Sequence, residues 1–88
     1  MPLREKPSPG LGLAIRELRL EARLTQEALA YQADVTVGQL SKIERGHSDA
    51  RWGTVRRIAL GLRVPLADLA ARAEALEREL ESAGTGSR

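Results

Sequence analysis

Two short helical segments joined by only a few residues constrain the fold of this chain more than any other feature. Thr25 precedes the segment QEALAYQA and Thr36 precedes VGQLSKIE, so each segment begins after a hydroxyl that can accept a hydrogen bond from a backbone N–H group. Asp34, between the segments, adopts left-handed backbone angles more readily than most residues. The pattern predicts helices over residues 26–33 and 37–45, joined by a tight turn.

Helical spacing also describes the apolar residues on both sides of this pair. Residues 11–22 and 52–62 each place their apolar side chains on one face, and Pro65 is suited to open a last helix over 65–81. No strand pattern and no internal repeat is present. The sequence therefore predicts an all-α fold, a compact bundle of five short helices. The apolar positions that define the faces are Leu11, Ile15, Leu18, Ala22, Leu29, Ala33, Leu40, Ile43, Trp52, Val55, Ile58 and Leu62.

The length of the chain suits one small domain. Of its 88 residues, 42% are apolar, which is enough for a single thin core. Residues 1–10 contain three prolines and are predicted to form a flexible arm. The folded domain is predicted over 11–81, followed by a disordered tail over 82–88.

Composition argues against several classes of protein. The chain has no cysteine, which excludes disulfides and cysteine–metal sites. The single histidine, His47, has no second metal ligand nearby in the sequence, and no glycine-rich phosphate loop is present. We therefore expect no metal, no cofactor and no enzymatic activity. No run of 18 apolar residues exists and the first ten residues lack an apolar signal core, so the sequence predicts a cytoplasmic protein without membrane contact.

Charge is distributed unevenly along the chain. Residues 1–66 carry eleven Lys and Arg against seven Asp and Glu, whereas residues 67–88 carry three Arg against five Asp and Glu. A basic body with a mildly acidic end favours a polyanionic partner for the body. Many solvated surfaces share this pattern, so the partner must be identified from the motifs.

The two central helices have the lengths and the separation that a helix-turn-helix requires. The stretch LTQEALAYQADVTVGQLSKIERG closely resembles the DNA-binding domain of phage repressors and Cro proteins, the xenobiotic-response-element family of bacterial regulators. IRELR before it and IALGLRVPLADL after it extend the resemblance over residues 11–70. The resemblance implies the lambda-repressor-like five-helix fold. The matching residues are Leu24, Thr25, Gln26, Leu29, Ala30, Ala33, Val35, Leu40, Ser41, Ile43, Glu44 and Gly46.

The resemblance also implies which side chains meet DNA. The second helix of the motif lies in the major groove, and its first half reads base edges. Glutamine can bind adenine in a bidentate manner, lysine can donate to guanine, and valine can contact a thymine methyl group. The base-contacting residues expected on this basis are Thr36, Val37, Gly38, Gln39 and Lys42. Two alternatives remain open: Gln39 folds back onto Thr36 as a capping box, and Lys42 meets only phosphate or solvent.

A second set of polar residues is expected at the DNA backbone. In the family, such contacts come from the start of the first motif helix and from the loop after the second, and they fix register rather than sequence. For Thr25 the capping role comes first, and for the loop residues the alternative is simple solvation. The expected phosphate contacts are Thr25, Gln26, Arg45, His47 and Arg51.

Two aromatic residues and three helix ends require separate interpretation. Tyr31 is expected to pack partly against the first helix, with a phosphate contact as the alternative. Trp52 is expected to lie in the core or to staple helix four, residues 52–62. The family commonly has glycine where this chain has Arg23, Asp34 and Arg63, so these residues adopt a positive φ or the turns differ. The N-cap of helix four is ambiguous, and Ser48 or Asp49 could supply it by starting the helix early.

The family further implies a structural ion pair and a dimer. In the family, an arginine late in the first helix pairs with the glutamate that ends the second helix of the motif. For this chain the resemblance implies an ion pair between Arg19 and Glu44. Specific sites of the family are usually two-fold, so a homodimer on a palindromic operator is expected. Its predicted seam on the last helix, 65–81, is Leu69, Ala73, Leu76 and Leu80. Leu66 and Leu69 are also expected in the core, and the alternative is that the helix folds back and Leu76 and Leu80 cover the core of one chain.

Double-stranded DNA is therefore the expected partner, and the predicted function is sequence-specific transcription regulation, like that of a small phage-type repressor or a restriction–modification controller protein. The alternative is a protein-interaction module on the same fold, such as an antitoxin that binds a toxin, or a coactivator.

Overall fold

Five helices make up the part of the chain that the structure describes. The computed structural model describes residues 8–86, with side chains to residue 83. The helices are α1 (Pro9–Glu21), α2 (Gln26–Ala33), α3 (Val37–Glu44), α4 (Trp52–Leu62) and α5 (Leu66–Gly86), and these residues contain no strand. The predicted all-α five-helix bundle is confirmed. The rest of the predicted arm and tail, residues 1–7 and 87–88, lies outside the described residues.

The outer helices extend beyond their predicted ends. α1 begins at Pro9 rather than at residue 11, since proline is well tolerated in the first turn of a helix. The Glu77 carboxylate accepts hydrogen bonds from the Gly10 N–H (2.7 Å) and from the Ser8 hydroxyl, and so neutralises the positive end of α1. α5 continues to Gly86, so the predicted end at 81 is wrong. Extending an existing helix costs much less than starting one, which lets weak helix formers follow.

The core lies where all five helices meet. Six large side chains are almost completely buried, and they come from every helix: Ile15, Leu29, Leu40, Ile43, Ile58 and Leu69. α5 packs along α1, and α4 packs along α2, so α3 is held between the two helix pairs. Burial of a large aliphatic side chain contributes about 1.5–3 kcal/mol, which makes this cluster the main source of stability.

Helix ends follow the sequence closely around the central pair. The Thr25 hydroxyl accepts from the Ala28 N–H, and the Thr36 hydroxyl accepts from the Gln39 N–H, both at 3.0 Å. Positive φ values of 60°, 57° and 62° occur at Arg23, Asp34 and Arg63. Of the two possibilities, a positive φ or a different turn, the first is therefore correct at all three helix ends. Such a conformation costs a non-glycine residue about 1–2 kcal/mol.

The start of α4 differs from the sequence interpretation. The helix begins at Trp52 without a side-chain cap, so an early start at Ser48 or Asp49 is wrong. The Asp49 carboxylate instead accepts from the Ser8 N–H at 2.8 Å. The placement of Trp52 in the core is also wrong, because its side chain is 69% exposed. At 3.6 residues per turn, Trp52 lies about 120° around the helix from the buried Ile58.

A membrane-spanning helix must be both long and apolar. None of the helices between residues 8 and 86 is both long enough and apolar enough to cross a bilayer.

Candidate nucleic-acid interface

α3 has one face in the core and one in solvent. Leu40 and Ile43 are buried, whereas Val37, Gly38 and Gln39 are exposed at its first turn and Lys42 is exposed one turn later. Thr36, which caps the helix, is exposed as well. The five residues expected to contact bases therefore share the outer side of α3 and its N-terminus. Nothing between residues 8 and 86 covers this surface.

The capping box between Thr36 and Gln39 is only half formed. The Thr36 hydroxyl accepts from the Gln39 backbone N–H, but within residues 8–86 the Gln39 side-chain amide makes no hydrogen bond. The Lys42 ammonium forms no ion pair within the same residues. Both side chains thus keep their full hydrogen-bonding capacity for an external partner.

A buried polar network fixes the far end of α3. Arg19 Nε donates to Glu44 Oε2 at 2.8 Å and its Nη2 donates to Glu44 Oε1 at 3.0 Å, so the contact is bidentate. Arg19 Nη1 also donates to the Leu24 carbonyl at 2.9 Å, and Gln26 Nε2 donates to Glu44 Oε1 at 3.1 Å. The structure thus brings together the expected pair. It also engages Gln26, a residue expected at phosphate, inside the protein.

Gly12 allows α1 to approach the end of α3 unusually closely. A Cβ atom at this position would collide with the Ile43 carbonyl oxygen and would lie 2.9 Å from that of Glu44. Only glycine fits such a backbone contact without a shift. α1 therefore holds α3 at two points, through Gly12 by shape and through Arg19 by charge. Helical periodicity could not reveal Gly12, because it reports only on side chains that are present.

An open groove runs beside α3, between α1, the start of α2 and the end of α3. Of the expected phosphate contacts, it includes Gln26, Arg45 and His47; Arg45 and His47 are exposed. Arg16 of α1 lines the same groove and was missed, since in the sequence it is one of several arginines on a solvent face. Thr25 and Arg51 are exposed at the N-caps of α2 and α4. The full lining is Leu13, Arg16, Gln26, Ser41, Glu44, Arg45 and His47.

α4 supports the motif from behind. Arg57 Nε donates at 2.9 Å to the carbonyl of Ala33, the last residue of α2. One turn later, Gly61 lies so close to α2 that an added Cβ would be 3.1 Å from Gln32 Cβ. Tyr31 points the other way and is 84% exposed, so its expected packing against α1 is wrong. Tyr31 is two positions from Leu29 and two from Ala33, so its side chain points about 160° away from each of them around α2.

α5 folds back along α1, as the alternative to the dimer seam predicted. Leu69 is fully buried in the chain's own core and has no surface left for a partner, so it is removed from the expected dimer seam. Ala73 and Leu76 are half-buried against the core, and Leu80 is 40% exposed. Gly10 of α1 lies beside Glu77, so the part of α5 after Glu77 projects past the start of α1.

An ion-pair cluster joins the other ends of these two helices. Arg72 Nη1 lies 3.0 Å from Glu17 Oε1 and 2.8 Å from Glu21 Oε2. The hydrogen bond from Arg72 lowers the pKa of the Glu21 carboxyl, and the two carboxylates raise the pKa of the Arg72 guanidinium. All three side chains are substantially exposed, so solvent screens the cluster. Within residues 8–86, no three His, Asp or Glu side chains are grouped as metal ligands.

Comparison with known proteins identifies the motif independently. The family described as "Helix-turn-helix domain" matches residues 11–77, which is most of the chain. No curated protein matches this chain. The predicted family resemblance is therefore confirmed by the family match and by the structures that follow.

Solved structures of regulators have the same fold. The clp gene regulator ClgR from Corynebacterium glutamicum superimposes with a TM-score of 0.88 at 25% identity, covering 99% of this chain and 89% of that one. The restriction-modification controller protein C.AhdI from Aeromonas hydrophila gives 0.68 at 26% identity, covering 69% and 92%. The wild-type controller protein C.Esp1396I gives 0.73 at 25% identity, covering 82% and 92%.

Proposed function

The chain belongs to the helix-turn-helix domain family, and we propose that it is a transcription regulator that reads the major groove of duplex DNA with α3. The observation that carries this proposal is the uncovered outer face of α3 beside a groove that contains Arg16, Arg45 and His47. A helix fits the major groove, and flanking arginines neutralise the adjacent phosphates. The similar proteins are a gene regulator and two controller proteins, which supports the same class of function here.

In this proposal the residues of α3 provide the sequence preference. Gln39 donates and accepts with its free amide, as a bidentate contact to adenine requires, and Lys42 donates to guanine or to a phosphate. Val37 contacts a thymine methyl group. Thr36 and Gly38 let the start of α3 lie close to the bases, because neither places a large side chain between the backbone and the groove floor.

The residues around α3 provide affinity without preference. Arg16, Arg45 and His47 flank one side of the reading helix, and Arg51 lies at the start of α4. The exposed Thr25 hydroxyl and the N–H groups at the start of α2 suit a phosphate, since a helix N-terminus favours negative charge. In the same proposal, the Gln26 amide contacts the DNA strand that Thr25 contacts, and the hydrogen bond from Gln26 Nε2 to Glu44 holds the amide in place.

The test is selection of bound duplexes from a random pool, followed by titration of the selected site at several salt concentrations. We expect log affinity to fall with log salt by about 0.9 per phosphate neutralised. Gln39→Ala is expected to relax the preference at one base with a loss of about 1–3 kcal/mol, whereas Arg45→Ala weakens all sequences alike. Failure to enrich any duplex, or affinity independent of salt, contradicts the proposal.

We further propose that the regulator binds a palindromic operator as a homodimer. A two-fold dimer places its reading helices about 34 Å apart, one turn of DNA. The exposed leucine on the projecting part of α5 supports this, because a second copy of the chain buries Leu80, which is 40% exposed, and full burial of a leucine contributes about 1.5–3 kcal/mol. The proposed contact consists of Leu80 with the outer edges of Leu76 and Ala73.

Sedimentation equilibrium at micromolar concentration tests the dimer. The wild-type chain is expected to show twice the mass of one chain, and Leu80→Glu is expected to show the single mass. Leu60→Glu is the matched control, because Leu60 is also an exposed leucine (72%) but lies on α4. A single mass for the wild type excludes the dimer, and dissociation by Leu60→Glu alone assigns the contact to α4 instead.

A further inference from the structure

Arg57 lies on α4, outside the helix-turn-helix motif, yet it holds the turn inside that motif. Its Nε donates to the Ala33 carbonyl at 2.9 Å. Ala33 is the last residue of α2, where the helix itself supplies no N–H partner for the carbonyl. A guanidinium at this position gives a charge-assisted hydrogen bond and also places a cation at the negative end of the helix. Arg57 therefore closes the C-terminus of α2 from a neighbouring helix.

The peptide that Arg57 holds leads directly into the turn before the reading helix. Asp34, the next residue, has a φ of 57°, and Thr36 two residues later caps α3. A left-handed non-glycine residue persists only where its surroundings hold it. The direction in which α3 leaves this turn depends on the orientation of the peptide between Ala33 and Asp34, and the Arg57 bond fixes that orientation.

The arginine reaches the turn from a rigid support. Gly61, one turn further along α4, lies against Leu29 and Gln32 of α2, where an added Cβ would be 3.0 Å from Leu29 Cδ1. α4 is thus packed closely on α2 just beside Arg57. A side chain held on such a platform positions its partner more accurately than one on a loop.

We infer that Arg57 is a positioning residue for DNA reading, which orients α3 through the Ala33 carbonyl without touching DNA itself. The inference rests on the proposed function of α3. It differs from the ordinary role of an exposed arginine, which is solvation or a phosphate contact. Arg56 provides the comparison, because it is the adjacent residue on α4, is also exposed, and makes no hydrogen bond or ion pair within residues 8–86.

Two substitutions separate the hydrogen bond from the charge. Glutamine carries its Nε2 the same number of bonds from Cα as arginine carries Nε, so Arg57→Gln removes the charge but keeps the donor. Arg57→Met has a carbon at that point and removes both. Arg56→Gln and Arg56→Met make the same chemical changes where no bond exists. For each variant we would measure affinity for the selected duplex, affinity for an unrelated duplex, and the salt dependence of both.

We expect Arg57→Met to bind the selected duplex about fivefold more weakly than Arg57→Gln, the typical effect of one neutral hydrogen bond, because glutamine keeps the donor without the charge. Arg57→Gln should match Arg56→Gln, and the unrelated duplex and the salt slope should not distinguish Arg57→Met from Arg56→Met. Equal affinity of Arg57→Met and Arg57→Gln for the selected duplex overturns the inference. A smaller salt slope for both Arg57 variants than for the Arg56 variants also overturns it, because that result identifies a phosphate contact.

A second readout does not depend on DNA. The Val35 N–H donates to the Ala30 carbonyl at 3.0 Å in the same turn, and its hydrogen exchange should be faster in Arg57→Met than in Arg57→Gln. Equal hydrogen exchange in the two variants overturns the positioning role, whether or not the wild-type chain binds DNA. Failure of the wild-type chain to bind any duplex refutes only the proposed function. Binding is measured where circular dichroism shows each variant folded. If Arg57→Met does not fold, Arg57→Lys replaces it, because lysine keeps the charge but has carbon where Nε lies.

Discussion

Replacing Arg19 with methionine removes the cation from a buried pair and is expected to destabilise the domain severely. The side chains of Arg19 and Glu44 are only 10% and 2% exposed. In the variant, Glu44 loses both guanidinium hydrogen bonds and keeps only the one from Gln26. Breaking one partner of a buried pair costs about 3–5 kcal/mol, whereas an exposed pair contributes about 0–1 kcal/mol.

The loss is large compared with the whole stability of such a domain. Small domains have a free energy of unfolding of roughly 5–15 kcal/mol, and this chain lies near the lower end because of its size. At about 4–8 °C per kcal/mol for 60–100 residues, Arg19→Met should lower the Tm by roughly 12 °C or more. Urea unfolding followed by circular dichroism measures the loss directly, and the m-value checks that the transition remains two-state.

A double variant distinguishes a buried charge from lost packing. Arg19→Met with Glu44→Leu leaves no charge buried, so it should cost clearly less than the sum of the two single changes. The Leu24 carbonyl still loses its Arg19 partner, which keeps the expected cost at about 1–3 kcal/mol. A cost below about 1 kcal/mol for Arg19→Met, or additivity of the two changes, would refute the reasoning.

Three further outcomes follow from the geometry. Arg72→Met should destabilise the domain at neutral pH, and its difference from the wild type should shrink under acid: the folded-state pKa of Glu21 is lowered, so its contribution is complete above the unfolded-state pKa and is lost as pH falls through the lower folded value. Thermal unfolding between pH 7 and pH 3 checks this, and a difference independent of pH would contradict it. Gly38→Ala should raise stability by up to about 1 kcal/mol, because no atom lies within 4 Å of the new Cβ and alanine favours helix. Gly12→Ala should lower stability instead, through collision with the end of α3; equal Tm changes for the two would show that the close contact is absent.

The sequence predicted the elements whose signals are local. Thr25 and Thr36 cap α2 and α3 as expected, and Asp34 turns the chain between them. The exposed face of α3 followed from the spacing of Leu40 and Ile43 alone. These features depend on residues within a few positions of each other, where side-chain chemistry and helical period act directly.

The sequence did not reveal what depends on distant residues. The placement of Trp52 was a different kind of error, because helical geometry alone puts Trp52 about 120° around α4 from Ile58. The contacts of Arg57 with Ala33 and of Gly12 with Ile43 join residues 24 and 31 positions apart, and neither leaves a periodic signal. Leu69 was assigned to both the core and the dimer, and only the packing of α5 on α1 decides between them.

The closing of α5 on α1 also determines when the domain can be completed during synthesis. The hydrogen bonds from Ser8 and Gly10 to Glu77 span 69 and 67 residues, and those from Arg72 to Glu17 and Glu21 span 55 and 51. A nascent chain that has emerged only as far as α4 contains α2 and α3 in full, yet α1 still exposes the side that α5 covers. Bringing residues so far apart in the sequence into contact closes a long loop and costs conformational entropy. α1 is therefore completed only after α5 has been synthesised.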